Sequence, residues 1–481
     1  MKELMNRLYN DGEEWRAEHT EIKINEKTGE TVKKIEMPRV PTVAKVLKNY
    51  CHFTFIGEGA TTDISKLYLY DLDLGYYVAS DDLLRKLIVK FDTRLTSDRF
   101  FREIKNFIRT STIMRRPLED YRYIPVANGV FNLETKELEP FSPDFIIKTK
   151  IKTAYNPDSK LSTFGGRFDF LEWLKSIACG DDELVKLLWQ IMNEAINPNR
   201  TRKKMVLLVG DGNNGKGTFQ SLLENLIGRE NISNIKPDQF GKEFYLASLD
   251  GKVCNIGDDI SNKYLDEVSD LMSVVSGDSI QVNVKGSQPY EARYKLLCLF
   301  SGNSLPRARN KTQGWYRRLC IVPFNADFNG QTERPEIKNQ YLKNRNLLEW
   351  VLYEILNMDD FEKFIEPQAT KDMLEEYKED NDYIRSFVFS QYLPNGLDGV
   401  EHVPTATIRR WLDNYTHAEG ITNPSFYGAS KRIAGVLTKE GYGKFVVKTG
   451  RVRDQDRSIL EEVGALSNEL NGTSKGIHKI T

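Results

Sequence analysis

The sequence predicts an α/β protein with three parts: a central unit of buried parallel strands, an α+β unit before it, and a winged-helix unit after it. Three observations carry this expectation. The stretch Met205–Thr218, MVLLVGDGNNGKGT, runs from an apolar strand into a glycine-rich loop, and FQSLLENLIG then has helical periodicity. Three more apolar runs follow, GKVCNIGDDI, YKLLCLFSGN and RRLCIVPF, each carrying a polar group at one end. That is the pattern of a sheet whose edge forms a site. Finally, 481 residues with 40% hydrophobic and 11% aromatic content suffice for about three globular cores.

Composition bounds the partners. The formal charge is −1, so contact with nucleic acid has to come from local basic clusters. The five cysteines are scattered without a C-x-x-C pair, which argues against structural zinc and a disulfide framework and for a reducing compartment. There is no membrane-span-length apolar run and no signal-peptide core, so no membrane partner and a cytoplasmic location are expected.

In chain order, the charged stretch to about residue 40 reads as a hairpin turning near Thr28-Gly29 on a mobile arm. TVAKVLKNY, DDLLRKLIVKF and FFREIKNFIRT have helical spacing around a strand-like KLYLYDLDLGYYV. From Tyr123 to Pro157 alternation with Asn-Gly and Pro punctuation predicts a β meander without helix. FDFLEWLKSIACGDDELVKLLWQIMNEAI predicts two helices broken at Cys179-Gly180, a collar or lid for the unit that follows. After a turn-rich break at Tyr392–Gly396, TATIRRWLDNYTHAEG and GASKRIAGVLTKEG read as helices. KFVVKTGRVR reads as a strand pair turning at Thr449-Gly450. The expected domains are 1–165, 166–200 (collar), 201–378 and 379–481.

The loop predicts phosphate chemistry. Glycines let the backbone fold back so that N–H groups and the helix N-terminus hold a polyphosphate. Gly210, Asp211, Gly212, Asn213, Asn214, Gly215, Lys216, Gly217, Thr218 and Phe219 are the expected nucleotide contacts. Gly210, Gly215 and Lys216 fit G-x-x-x-x-G-K, with Lys216 reaching the β and γ phosphates. The residue after the lysine is Gly217, and the hydroxyl arrives one place later, at Thr218. Whether Thr218 touches Mg²⁺ directly stays open.

ATP hydrolysis also needs a metal ligand, a group to orient water and positive charge near the transition state. Asp258 is the candidate for Mg²⁺, Asp259 for the water and Asn303 for a γ-phosphate sensor. Arg318, beside Arg317, is the candidate for an arginine supplied to a neighbouring subunit; its alternative is a surface salt bridge. Lys285, near the tip of the hairpin SGDSIQVNVKGSQPYEARYKLL, could probe a phosphate backbone, but hairpin tips also carry lysine for solubility.

The order GDGNNGKGT, CNIGDD, VNVKGSQP, LFSGNSLP and WYRRLCIVPF between residues 210 and 324 resembles the superfamily 3 helicases of viruses, phages and plasmids. NGVFNLETKELEPFSPDFI resembles the segment before the ATPase in their poxvirus-type and phage–plasmid primase-helicase branch. The layout is similar to the replication initiators of staphylococcal pathogenicity islands. The resemblance implies an AAA+-like ATPase in a hexameric ring with ATP and Mg²⁺ at subunit interfaces. It also implies that Lys285 tracks single-stranded DNA in the channel. The family more often has Ser or Thr where this chain has Gly217. The G-K-G-T loop also resembles adenylate kinases, leaving a small-molecule kinase as the enzyme alternative. Primase activity is not expected: Asp71 and Asp73 form a D-x-D, but only His19 and His52 lie in the first 400 residues.

Between Ser425 and Arg453 the last unit carries Lys431, Arg432, Lys439, Lys444, Lys448, Arg451 and Arg453 against the single acid Glu440. Lys431, Arg432, Lys444, Lys448 and Arg451 are the expected contacts to duplex origin DNA. A solvated face on a protein–protein module is the other reading. An initiator that marks or melts an origin without unwinding is the non-enzyme alternative.

Overall fold

Five strands form the central sheet in a computed structural model of the chain: β1 (Met205–Val209), β2 (Ile232–Ser233), β3 (Cys254–Gly257), β4 (Leu297–Gly302) and β5 (Leu319–Pro323). The structure describes residues 1–24, 31–57, 66–262, 264–286, 288–309, 312–330, 334–421 and 424–480. All neighbours are parallel, in the order β2-β3-β4-β1-β5. Every residue of β1, β3, β4 and β5 is buried, which is why these strands read as continuous apolar runs.

Period-two alternation sends the two faces into different cores. Val206, Leu208, Ile256, Leu299 and Val322 pack in one, with α1 (Phe170–Ile177), α2 (Asp182–Ala195), α3 (Lys216–Ile227) and the helix Arg345–Asn357. Leu207, Val209, Cys298, Phe300 and Ile321 pack in the other with Leu271, Val274, Trp315 and Tyr377. Asp169 and Asp181 cap α1 and α2 by accepting from backbone N–H groups. The break between these helices holds Cys179 and Gly180 at φ 52° and 81°. The two helices, expected as a collar, thus cover one face of the sheet.

The N-terminal stretch departs from the sequence expectation. Residues Lys2–Glu18 are a helix, and Leu4 and Leu8 lie in a core with Val43, Leu47, Leu87, Phe101 and Ile104. Its apolar positions are sparse among charges, yet they seat the helix on that core, so Lys2–Glu18 is a packed helix and no arm. Thr20–Ile24 and Thr31–Ile35 pair antiparallel; the turn near Thr28-Gly29 lies outside the described residues. The expected meander forms, as a three-stranded sheet, and residues 123–157 contain no helix. Ile124, Val126, Phe131 and Ile151 pack in the core of the central sheet rather than in that of the N-terminal helices.

In the C-terminal part, helices Thr405–Ala418 and Ala429–Lys439 form as expected, but the strand pair does not. Lys444–Gly450 is one strand, and its antiparallel partner is Ser474–Ile480, which also pairs with His402–Pro404. Two short helices, Arg457–Glu462 and Ser467–Leu470, lie between the partners. Gly450 marks a close approach, not a turn: a Cβ there would sit 2.7 Å from His402 Nδ1.

His402 is fully buried, with Nε2 3.4 Å from Ser474 Oγ and its ring 5.8 Å from that of His478. Burial first, then the charge of His478 and that of Lys448, hold its pKa below 6.5, with Glu401 opposing. The folded state therefore keeps His402 neutral, while the unfolded chain takes up a proton below the usual value. Its contribution to stability is present above 6.5 and is lost as pH falls. The melting temperature of the C-terminal part is expected to drop between about pH 7.5 and pH 5, and His402→Gln to flatten that drop. An unchanged pH profile in the variant would contradict this assignment.

Candidate functional site

The glycine-rich loop leaves β1 at Val209 and is closed by its own hydrogen bonds. Gly210 has φ 157°, and a Cβ on it would meet the Phe324 carbonyl oxygen at 2.1 Å, so glycine is required there. Asn214 Nδ2 donates to that same carbonyl at 2.8 Å and also to the Asp211 carbonyl. Gly215, at φ 92°, caps α3 and has no room for a Cβ beside Ile177. Lys216 is the first residue of α3 and is buried. Its ammonium donates to the Gly210 carbonyl, to the Asp211 carbonyl at 2.8 Å and to Asn214 Oδ1 at 3.0 Å. Burial lowers its pKa, while the negative charges of Asp211 and Asp258 work in the other direction.

One expected contact is corrected. Phe219 is fully buried, its ring 6.2 Å from that of Phe324, and its N–H bonds to the Gly215 carbonyl. It faces the core because it stands one turn into α3. Asp211, Gly212 and Asn213 are exposed on the loop, and all of Gly212–Thr218 line a cavity of about 900 Å³ together with Asn303.

Parallel pairing brings the other candidates to the same sheet edge. Val209 lies opposite Gly302, and Ile256 opposite Leu299, so the chain leaves β1, β3 and β4 on one side. Asp258 follows β3 and Asn303 follows β4. The Ser301 hydroxyl donates to Asp258 Oδ1, and the Asp259 N–H donates to the same oxygen at 2.9 Å. Asp259 has φ 50°, and Lys236 Nζ donates to its carbonyl at 2.9 Å. Both aspartates are exposed. With a hydroxyl at Thr218 and a carboxylate at Asp258, the edge has oxygen donors suited to a hard cation that keeps most of its water. Among the described residues, no three His, Cys, Asp or Glu side chains cluster for a metal.

Arg318 is at the opposite end of the strands. Met205 N–H donates to its carbonyl at 2.7 Å, a full strand length of about 13 Å from the loop. Its Nε donates to Ser276 Oγ at 2.8 Å and another nitrogen to the Gly314 carbonyl, and burial lowers its pKa. Arg318 does not join the loop of its own chain. Arg317, the other member of the arginine pair, is exposed beside it.

Lys285 is exposed beyond an antiparallel hairpin, Ser279–Val282 with Tyr290–Arg293, next to Gly286 at φ 75°; Ser287 lies outside the described residues. In the C-terminal part Lys431, Lys444 and Lys448 are exposed. Arg451 is exposed, with Nε on Thr473 Oγ1 at 3.1 Å. Arg432 differs: it pairs with Asp382 at 2.7 Å and lies over the Tyr383 ring, so it ties the helix Ala429–Lys439 to the start of this domain. Lys475, opposite Thr449, is an exposed cation that the sequence reading missed because it missed the strand.

Gly210→Ala is expected to strain the loop by about 1–3 kcal/mol. In hydrogen exchange the Phe324 N–H, which bonds to the Val209 carbonyl at 2.7 Å, should lose roughly tenfold or more protection. Gly212→Ala, with open space around its Cβ, should leave it unchanged. Equal protection in the two variants would count against the close approach at Gly210.

Residues 3–179 match the family model described as D5 N terminal like, and residues 208–318 match one described as a family of unknown function (DUF5906). The chain is 22% identical over 240 residues to "Putative helicase 121R" of Invertebrate iridescent virus 3, covering 47% of this chain and 25% of that protein. It is 22% identical over 267 residues to "Putative helicase L207/L206" of Acanthamoeba polyphaga mimivirus, covering 51% and 26%. The chain thus spans about a quarter of the length of these relatives. The A-form apo structure of the NrS-1 C-terminal region aligns over 86% of this chain and 97% of that one, at 14% identity and a TM-score of 0.47.

Proposed function

We propose that this chain is an ATP-driven DNA helicase of the superfamily 3 type, a replication initiator of a phage, plasmid or pathogenicity island that works as a hexameric ring. The observation that carries the reading is the convergence of Lys216, Asp258 and Asn303 on one end of a parallel sheet, each after a different buried strand. The two helicase-named viral relatives and the D5-type match support the same reading.

In this reading Lys216 leaves its loop oxygens for the β and γ phosphates of ATP, while the loop N–H groups and the start of α3 hold the chain of phosphates. Mg²⁺, held by Asp258 with the Thr218 hydroxyl nearby, supplies charge neutralisation when bound. Asp259 orients water and Asn303 bonds to the γ phosphate. Arg318, a strand length from its own loop, serves the site of the neighbouring subunit. Lys285 follows the DNA backbone in the channel. The order from Tyr383, helix, strand, helix, helix, strand and, after two short helices, a last strand, is read as a winged helix with an insertion between its wing strands that binds duplex origin DNA through Lys431, Lys444, Lys448 and Arg451. Arg432 has a structural share in the same domain.

Lys216→Ala is expected to lower ATP turnover by roughly 10²–10³-fold or more with the fold intact; a folded variant that keeps wild-type turnover would sink the assignment. Arg318→Ala should be equally inactive alone. Mixed with Lys216→Ala subunits it should regain activity, because about a quarter of the interfaces in random rings join an intact loop to an intact arginine. With subunit exchange demonstrated, no recovery would count against action across the boundary.

A further inference from the structure

Asp259 stands at φ 50°, in the left-handed region that residues with a Cβ seldom enter and that persists only where the surroundings hold it. The peptide that follows Asp259 is held at both ends. Its carbonyl oxygen accepts from Lys236 Nζ at 2.9 Å, and its N–H, that of Ile260, donates to the Ser301 carbonyl at 2.8 Å. On the other side of the residue, the Asp259 N–H donates to Asp258 Oδ1 at 2.9 Å. Of these three partners, only Lys236 comes from outside β4 and the turn itself.

Two features of the buried sheet bring Lys236 there. Asn255, fully buried inside β3, accepts from the Ile235 N–H at 2.8 Å and from the Ser233 hydroxyl at 2.9 Å, and its Nδ2 donates to the Ile235 carbonyl at 2.9 Å. One side-chain amide thus carries the pairing of β2 with β3 past the end of β2, as far as the residue before Lys236. Gly257 permits the approach: a Cβ there would lie 2.9 Å from the Ile235 carbonyl oxygen and 2.8 Å from a Phe300 ring carbon. The Lys236 N–H is closed by Gln239 Oε1 at 2.9 Å, so the half-buried lysine leaves a pinned backbone. A lysine kept for solubility needs no such mooring.

We propose that Lys236 is a positioning residue for ATP hydrolysis. By holding the Asp259 carbonyl it fixes the left-handed turn, and the turn sets the direction from which the Asp259 carboxylate meets the attacking water. The proposal rests on the reading of Asp259 as the group that orients water, and adds what keeps that group in place. Lys236 acts through Asp259 and touches neither the nucleotide nor the water. A misplacement of about 1 Å in a reacting group costs on the order of 10²-fold in rate, so a single bond to the backbone of this turn has a measurable effect.

The test has two parts, both on the full chain. Without nucleotide, Lys236→Met, which keeps the stem and loses the ammonium, should speed amide exchange at Ile260 roughly tenfold, and Lys236→Arg, which keeps a donor, should hold the wild-type rate. With MgATP, Lys236→Met should lower kcat on the order of 10–100-fold at unchanged KM, and Lys236→Arg should keep most of the turnover. In an Asp259→Asn background Lys236→Met should cost nothing further, because the two residues act as one unit. Should Lys236→Met not fold, Lys236→Ala is read in the same way. Losses that multiply, a raised KM at unchanged kcat, or wild-type exchange at Ile260 in Lys236→Met overturn the positioning role and leave the Lys216 site standing. So does a lowered melting temperature with wild-type kcat, the mark of a merely structural bond. If the wild-type chain hydrolyses no ATP, the proposed function itself fails and the positioning role falls with it.

Discussion

Burial of the central sheet on both faces is the constraint from which the rest follows. A parallel strand covered by helices on each side has no place for a charged side chain along its length, because an unpaired charge there would cost several kcal/mol. Polar chemistry is pushed to the strand ends. Parallel pairing then aligns those ends, so that residues far apart in sequence, Lys216, Asp258 and Asn303, share one edge. Arg317 and Arg318 are on the other edge for the same reason, since they precede β5 instead of following it.

The two edges are joined by a buried polar cluster. After Asn303 the chain passes Pro306 and Ala308, whose carbonyl and N–H bond to Tyr377 Oη at 2.9 Å and to Asn381 Oδ1 at 2.7 Å. The same tyrosine accepts from Trp315 Nε1 at 3.3 Å, and Asn381 Nδ2 donates to Tyr316 Oη at 3.2 Å. The loop after β4, the turn bearing the two arginines and the entry to the C-terminal part thus share one set of fully buried bonds. Partial rupture of such a set is costly, so the bonds hold these three segments to one another.

Much of this was legible in the sequence because buried parallel strands and glycine-rich loops leave strong local marks. The run MVLLV, the loop glycines and the Asp-Asp ending of CNIGDD each fixed a strand end without knowledge of its neighbours. Long-range facts were not legible. The helix Lys2–Glu18 buries only Leu4, Leu8 and Gly12, too thin a stripe to stand out among charges. The partner of Lys444–Gly450 lies beyond two helices, and Gly450 looked like a turn because close approach and turning leave the same residue behind. Phe219 was placed at the site by adjacency alone, although one helical turn rotates it into the core. The cavity beside Lys216 is walled by the segment around α1 and the chain after β5, about 160 residues apart, and no local motif announces it.

The central claim is that the edge bearing Lys216 is completed by the opposite edge of a second copy. Electron microscopy of the full chain with forked DNA and a non-hydrolysable ATP analogue tests it most directly. The account predicts a closed ring in which nucleotide lies between Lys216 of one subunit and the Arg317–Arg318 turn of the next, with the Lys285 hairpins lining the channel. A monomer with nucleotide bound and no second chain near it would contradict the account, as would a ring whose contacts leave the arginine turn facing solvent.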